Sequence, residues 1–215
     1  YLGAHAYPFG GANVASVVNE GTIQCDVAEG TISISASGAG SQFTNRGTVR
    51  VTNGATLRIS EVWSNEGQLL AEGGTLNLNG GVTTAQLGTI RSVGGAVQYS
   101  GSLINTGAEL VLSQQTQALV FNGTTIKGGV VTMKDGVVLA GNGVTLEGVT
   151  LNGEIEVGVS GPGQSLRVKN GLTLNGTLRV GDVGASGNYG TVLFDGTQTL
   201  GGSGTVIFGH LQNNS

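Results

Sequence analysis

Asn45-Arg46-Gly47-Thr48-Val49-Arg50-Val51 and Asn65-Glu66-Gly67-Gln68-Leu69-Leu70-Ala71 are two copies of one pattern, a polar corner followed by alternating apolar positions. Outward from them the same start recurs at Asn19-Glu20-Gly21 and Asn105-Thr106-Gly107, and at Gln86-Leu87-Gly88 with Gln in place of Asn. The corner glycines are spaced 26, 20, 21 and 19 residues apart. A period near twenty, with strand-type segments inside each repeat, predicts a solenoid in which each repeat forms one coil.

The columns inside this register carry the fold, because inward positions of successive coils must share one narrow core. Two residues after the corner glycine stand Ile23, Val49, Leu69 and Ile90, and two further on the small residues Cys25, Val51, Ala71 and Ser92. After a second glycine-marked corner come Ile32/Ile34, Leu57/Ile59, Leu76/Leu78 and Val97/Tyr99. Thr31/Ser33, Thr56/Arg58, Thr75/Asn77 and Ala96/Gln98 alternate with them and point outward. A third column, four residues before the corner glycine, holds Val17, Phe43, Trp63, Thr84 and Leu103. Three short strands per coil of about 20 residues follow. The corner asparagines share parity with this third column, so they face inward, where stacked amides can satisfy turn backbone as an asparagine ladder. Leu110 and Leu112 come one place late, which predicts a bulge or register shift.

Composition agrees. Glycine supplies 41 of 215 residues without a period of three, so it punctuates turns and is not collagen-like. Val, Leu and Ile set among Thr, Asn and Gly are the vocabulary of strands and turns. Nine basic and 13 acidic residues form no long run, which argues against nucleic acid or an anionic membrane surface as partner. No stretch approaches the length of a membrane span, so no membrane insertion is expected. The lone Cys25 cannot form an internal disulfide, and stability must come from burial and backbone hydrogen bonds. The start at Tyr1, without a leader, is expected of an excised or processed portion of something longer.

Beyond Gln114 the period is harder to follow. Val130-Val131-Thr132-Met133, Val144-Thr145-Leu146, Leu172-Thr173-Leu174 and Val206-Ile207-Phe208 keep the same grammar, with corners at Asn152-Gly153 and Asn175-Gly176. No linker divides the chain, so one domain over 1–215 is expected, with 1–15 as a cap or interface segment and 181–190 as an irregular loop.

The Asn-x-Gly-Thr-[Ile/Val/Leu] repeats at 19–23 and 45–49, and Leu172-Thr173-Leu174-Asn175-Gly176-Thr177-Leu178, resemble the right-handed parallel β-helices of filamentous-haemagglutinin-like adhesins and autotransporter passengers. The resemblance covers most of the chain. It implies an all-β, single-stranded right-handed parallel β-helix, consistent with the handedness of parallel crossovers, and an extracellular or cell-surface location in bacteria. It does not fix a ligand, because the same stacked grammar serves adhesins, exported enzymes and filaments.

Catalysis on such a face needs converging ionisable groups, as in the carboxylates and Arg or Lys base of pectate-lyase-like enzymes. The best candidate is Glu154 and Glu156 with Arg167, Lys169 and Arg179. Their alternation points all of them outward, where cross-strand ion pairs account for them. His5 and His210 stand near opposite ends of the sequence, too far apart for a metal pair or triad. Cys25 falls in a column of small core residues, and Trp63 shares its column with Phe43, so both belong to the core and not to a nucleophile or a sugar platform. Thr22, Thr48 and Thr89, and Thr31, Thr56 and Thr75, form outward files of the kind that bind ice, but Gln68 and Ala96 interrupt them. Asn122-Gly123-Thr124 and Asn175-Gly176-Thr177 match the N-glycosylation pattern and are read as corners.

The sequence therefore assigns no catalytic, cofactor or metal site. It points to a non-enzymatic structural or adhesive solenoid, whose partners are the remainder of a larger chain, copies of itself end to end, or surface glycans. A polysaccharide-binding or polysaccharide-cleaving β-helix and an ice-binding solenoid are the rival readings.

Overall fold

A computed structural model describes residues 16–36, 38–114, 119–182, 184 and 187–209. Segment 1–15, expected as a cap, and both histidines lie outside the described residues. The chain is 63% strand and 2% helix, with parallel stacked coils of about 22 residues, and is therefore an all-β solenoid. It forms two compact units, the first running to Gly101 and the second beginning at Ser102, with Leu119 and Val120 belonging to the first.

In the first unit the coils are β1 (Ser16–Asn19), β2 (Thr22–Cys25) and β3 (Thr31–Ala36); β4 (Gln42–Asn45), β5 (Thr48–Thr52) and β6 (Thr56–Glu61); and β7 (Trp63–Asn65), β8 (Gln68–Glu72) and β9 (Thr75–Thr83). A one-turn helix α1 (Thr84–Leu87) precedes β10 (Thr89–Val93) and β11 (Ala96–Ile104), whose last residues open the second unit. Each strand lies parallel to its counterpart in the next coil, in the register expected from the repeats. Ile23, Val49, Leu69 and Ile90 are partners in turn, as are Cys25, Val51, Ala71 and Ser92. So are Ile32, Leu57 and Leu76, and Val17, Phe43 and Trp63. Val49, Val51, Leu57, Leu69, Ala71 and Leu76 have no exposed surface. Burial of each larger side chain is worth about 1.5–3 kcal/mol relative to exposure, and this column of contacts is the main source of stability.

Thr84 departs from the expected strand column. Thr83 and Gln86 form a capping box, in which the Gln86 backbone donates to Thr83 Oγ1 (3.3 Å) and the Thr83 backbone donates to Gln86 Oε1 (2.8 Å). These local bonds hold one helical turn where the coils before it have a strand.

The second unit continues with β12 (Glu109–Leu112) and Phe121, the last residue of β13 (Leu119–Phe121, paired with β11), then β14 (Thr125–Lys127), β15 (Val130–Met133) and β16 (Val138–Ala140). It ends with β17 (Val144–Asn152), β18 (Glu154–Val157), β19 (Gln164–Leu174), β20 (Thr177–Val180), β21 (Gly190–Phe194), β22 (Leu200–Gly201) and β23 (Thr205–Phe208). β17 and β19 each run through a corner, so two of the three expected strands fuse. The corner shows as a register shift between Glu147 and Val149. Leu103, Ile126, Leu146, Val168 and Phe194 form one column, Leu110, Val131, Leu151 and Leu174 a second, and Leu139, Ile155, Leu178 and Val206 a third. The late arrival of Leu110 is absorbed before the strand, in a turn where the Ala108 backbone donates to the Asn105 carbonyl (2.9 Å); β12 then pairs with β15 without offset. In the loop expected to be irregular, no strand occurs among the described residues between Val180 and Gly190.

Candidate functional site

The corner asparagines form the expected ladder. Asn19 Nδ2 donates to Asn45 Oδ1 and Asn45 Nδ2 to Asn65 Oδ1, each at 2.7 Å. Asn45 and Asn65 are buried, and their amides also reach turn carbonyls, Asn45 that of Gln68 (3.1 Å) and Asn65 that of Leu87 (2.9 Å). Gln86 does not extend the ladder, because its amide is held in the capping box. Asn105, fully buried, donates instead to the carbonyls of Val130 (2.9 Å) and Gly128 (3.2 Å). These asparagines substitute for water at corners that the core closes off.

The charged candidates do not come together as one cluster. Glu154 and Glu156 lie on β18 and Arg179 on the neighbouring β20, where it faces Glu156 in register and its Nε donates to Glu154 Oε1. Partial burial pushes the Glu156 carboxyl above the usual glutamate range; the nearby Glu154 carboxylate adds to the rise and Arg179 opposes it. Arg167 and Lys169 lie on β19, in a different sheet, and both hold Asp195, at 2.6 Å and 3.5 Å. Sequence reasoning missed Asp195. The only available signal was its place after the strand-like run Val192-Leu193-Phe194, one coil beyond Val168. Glu154, Arg179, Arg167, Lys169 and Asp195 are partly exposed and paired along the stack, so their charge is taken up by neighbours.

Cys25 is buried, its sulfur lies 3.4 Å from the Thr56 carbonyl, and burial pushes the thiol up, which disfavours the nucleophilic thiolate. Trp63 is core. Its indole N–H donates to the Asn79 carbonyl (2.8 Å) and its ring meets Tyr99 edge-on at 6.5 Å. Tyr99 is equally buried, donates to the Gly80 carbonyl (2.9 Å), and has its pKa pushed up to about 12 by burial. The threonine files are real neighbours, Thr22 beside Thr48 and Thr31 beside Thr56 beside Thr75, with Gln68 interrupting the first.

Asn122 and Asn175 sit at corners and bond to asparagines of adjacent coils, Asn142 donating to Asn122 (2.9 Å) and Asn175 to Asn152 (3.1 Å). Asn152 in turn donates to Thr132 Oγ1 (3.3 Å), and Thr132 to Glu109 Oε1 (2.6 Å), a polar file running up the outside of the second unit. Among the described residues no three His, Cys, Asp or Glu side chains converge in a way that could hold a metal ion. A hollow of about 530 Å³ opens on the last coil, lined chiefly by Val180, Val192, Phe194, Leu200, Val206 and Phe208. It is apolar and presents no titratable group.

No family model matches the chain, and neither a curated protein nor a solved structure matches it.

Proposed function

We propose that this chain is a non-enzymatic structural or adhesive segment of a bacterial surface protein, of the filamentous-haemagglutinin-like or autotransporter-passenger kind, working outside the cell. The carrying observation is the direction of its polar bonds. Asn19-Asn45-Asn65, Glu109-Thr132-Asn152-Asn175, Arg50-Glu72 and Glu154-Arg179 all run from coil to coil along the stack. Acid-base or metal chemistry needs side chains that converge on one point in a pocket; here the same residue types are used to fasten repeats together. A fold that spends its polarity this way suits a spacer or a presenting surface. The Asn-x-Gly-Thr repeats support the adhesin-like assignment, and its partners would be the rest of a longer chain, further copies, or surface glycans.

The test is a set of neutral and acidic polysaccharides incubated with the chain and with Glu156→Gln, with new reducing ends measured. The expected outcome is no release above the buffer control for either protein. Turnover by the wild type that disappears in Glu156→Gln would overturn the proposal in favour of a cleaving β-helix.

A further inference from the structure

We propose that the last coil of one chain docks the first coil of a second copy, head to tail, with Thr31 of the incoming chain over Thr205. The proposal rests on the structural-solenoid reading and names the partner of that surface. In the last coil Phe194, Leu200 and Phe208 are 42%, 43% and 71% exposed, whereas their counterparts one coil earlier, Val168, Leu172 and Val180, are buried. The first coil shows the same deficit, with Val17 56% exposed against 1% for its neighbour Phe43. Among the described residues, each end thus carries the inward columns of a coil with no further coil over them.

Backbone bonds of the stack set the register of the docked coil. At the first residue of the third strand the later coil's N–H donates and the earlier coil's carbonyl accepts. Thr56 N–H donates to the Gly30 carbonyl (2.8 Å), Thr177 to Gly153 (2.9 Å) and Thr205 to Gly176 (2.8 Å). The next step in that series is a donor over the Gly204 carbonyl, and Thr31, which follows Gly30 as Thr205 follows Gly204, is the residue of the first coil in that place. Thr31-Ile32-Ser33-Ile34 then repeats the in-and-out alternation of Thr205-Val206-Ile207-Phe208, continuing the coil-on-coil interface already present. Because the first coil of one copy meets the last coil of another, the contact is heterologous and passes from copy to copy instead of closing a two-fold dimer.

The test places cysteines on the outward faces of the two strands, in a Cys25→Ala background. Ser33→Cys with Ile207→Cys should give, on oxidation, a reductant-sensitive ladder of dimers, trimers and higher species; Ser35→Cys with Ile207→Cys, two residues out of register, should not. In sedimentation the unaltered chain should gain mass with concentration. Phe208→Asp should weaken that association at least about tenfold by placing a charge in an apolar contact, with an unchanged circular-dichroism spectrum because the side chain is already exposed. A chain that stays monomeric at every concentration, an association indifferent to Phe208→Asp, or cross-linking in the shifted pair overturns the proposal. Any of these without polysaccharide turnover leaves the structural reading standing, whereas turnover removes that reading by itself.

Discussion

The two units turn their corners by different means. In the first, the corner is Asn-x-Gly, with the amide buried and the glycine needed for room: a Cβ added at Gly67 would overlap the Gly47 carbonyl oxygen. In the second, the corresponding corner above Asn105 is glycine alone at Gly128 and Gly148, with φ of 66° and 63°, and space around Gly148 is open, the nearest heavy atom to an added Cβ being the Asn170 carbonyl oxygen at 3.8 Å. Asparagine returns to this corner at Asn170, bonded outward to Glu147, and marks the next corner at Asn152 and Asn175, again on the outside. One coil geometry is thus held by internal hydrogen bonds in one place and by backbone freedom in the other.

Glycine substitution tests that contrast most severely. Gly67→Ala must displace backbone of the adjacent coil, and a loss of about 3 kcal/mol or more is expected. Gly148→Ala makes only an ordinary contact with the Asn170 carbonyl oxygen and suffers the left-handed conformation, about 1–2 kcal/mol. Urea unfolding of both variants gives the comparison, and equal losses would show that the two corners do not differ in kind.

The asparagines give the next largest effect. Asn45→Ala leaves the buried Asn65 oxygen and the Gln68 carbonyl without their donor, with an expected cost of about 2–4 kcal/mol. Asn152→Ala removes exposed bonds that water replaces, and should cost under about 0.5 kcal/mol. Thermal melts decide it; a comparable cost at both sites would mean that the buried ladder is not what holds the first unit's corners.

The same contrast explains what the sequence could reveal. Up to Asn105 the corner is marked by a residue that must face inward, so the repeat and its columns are visible from letters alone. After Gln114 the corner marker is glycine, which occurs at many other turns, and the visible Asn-Gly pairs at 152 and 175 belong to a different corner. Register is lost there, so the sequence groups Arg167 and Lys169 with Glu154 and Glu156, although β19 and β18 lie in different sheets, and does not single out Asp195. Gln86 failed for a local reason: Thr83, three residues earlier, offers a capping partner that competes with the ladder.

Exposed ion pairs separate the units least. Arg46 and Glu66, 3.0 Å apart and each more than half exposed, lie in the first unit, and Arg46→Ala should cost no more than about 0.5 kcal/mol, falling further with added salt. A salt-independent loss in urea titrations would mean that the arginine stem packs on the coil and the charge is incidental.

Glu156 in the second unit should differ in sign. Burial and the Glu154 carboxylate raise its pKa against the opposing pull of Arg179, so the folded chain holds the proton more tightly than the unfolded one. Its contribution is therefore most favourable at acid pH and is lost as pH rises from the ordinary glutamate range through the raised value. Glu156→Gln removes this titration. The stability of the wild type relative to the variant should rise as pH falls through that window, a small effect read from urea midpoints at closely spaced pH. A difference that stays constant across the window would show that Glu156 titrates alike in the folded and unfolded chain, and that the outer face of β18 is as wet as the Arg46-Glu66 pair.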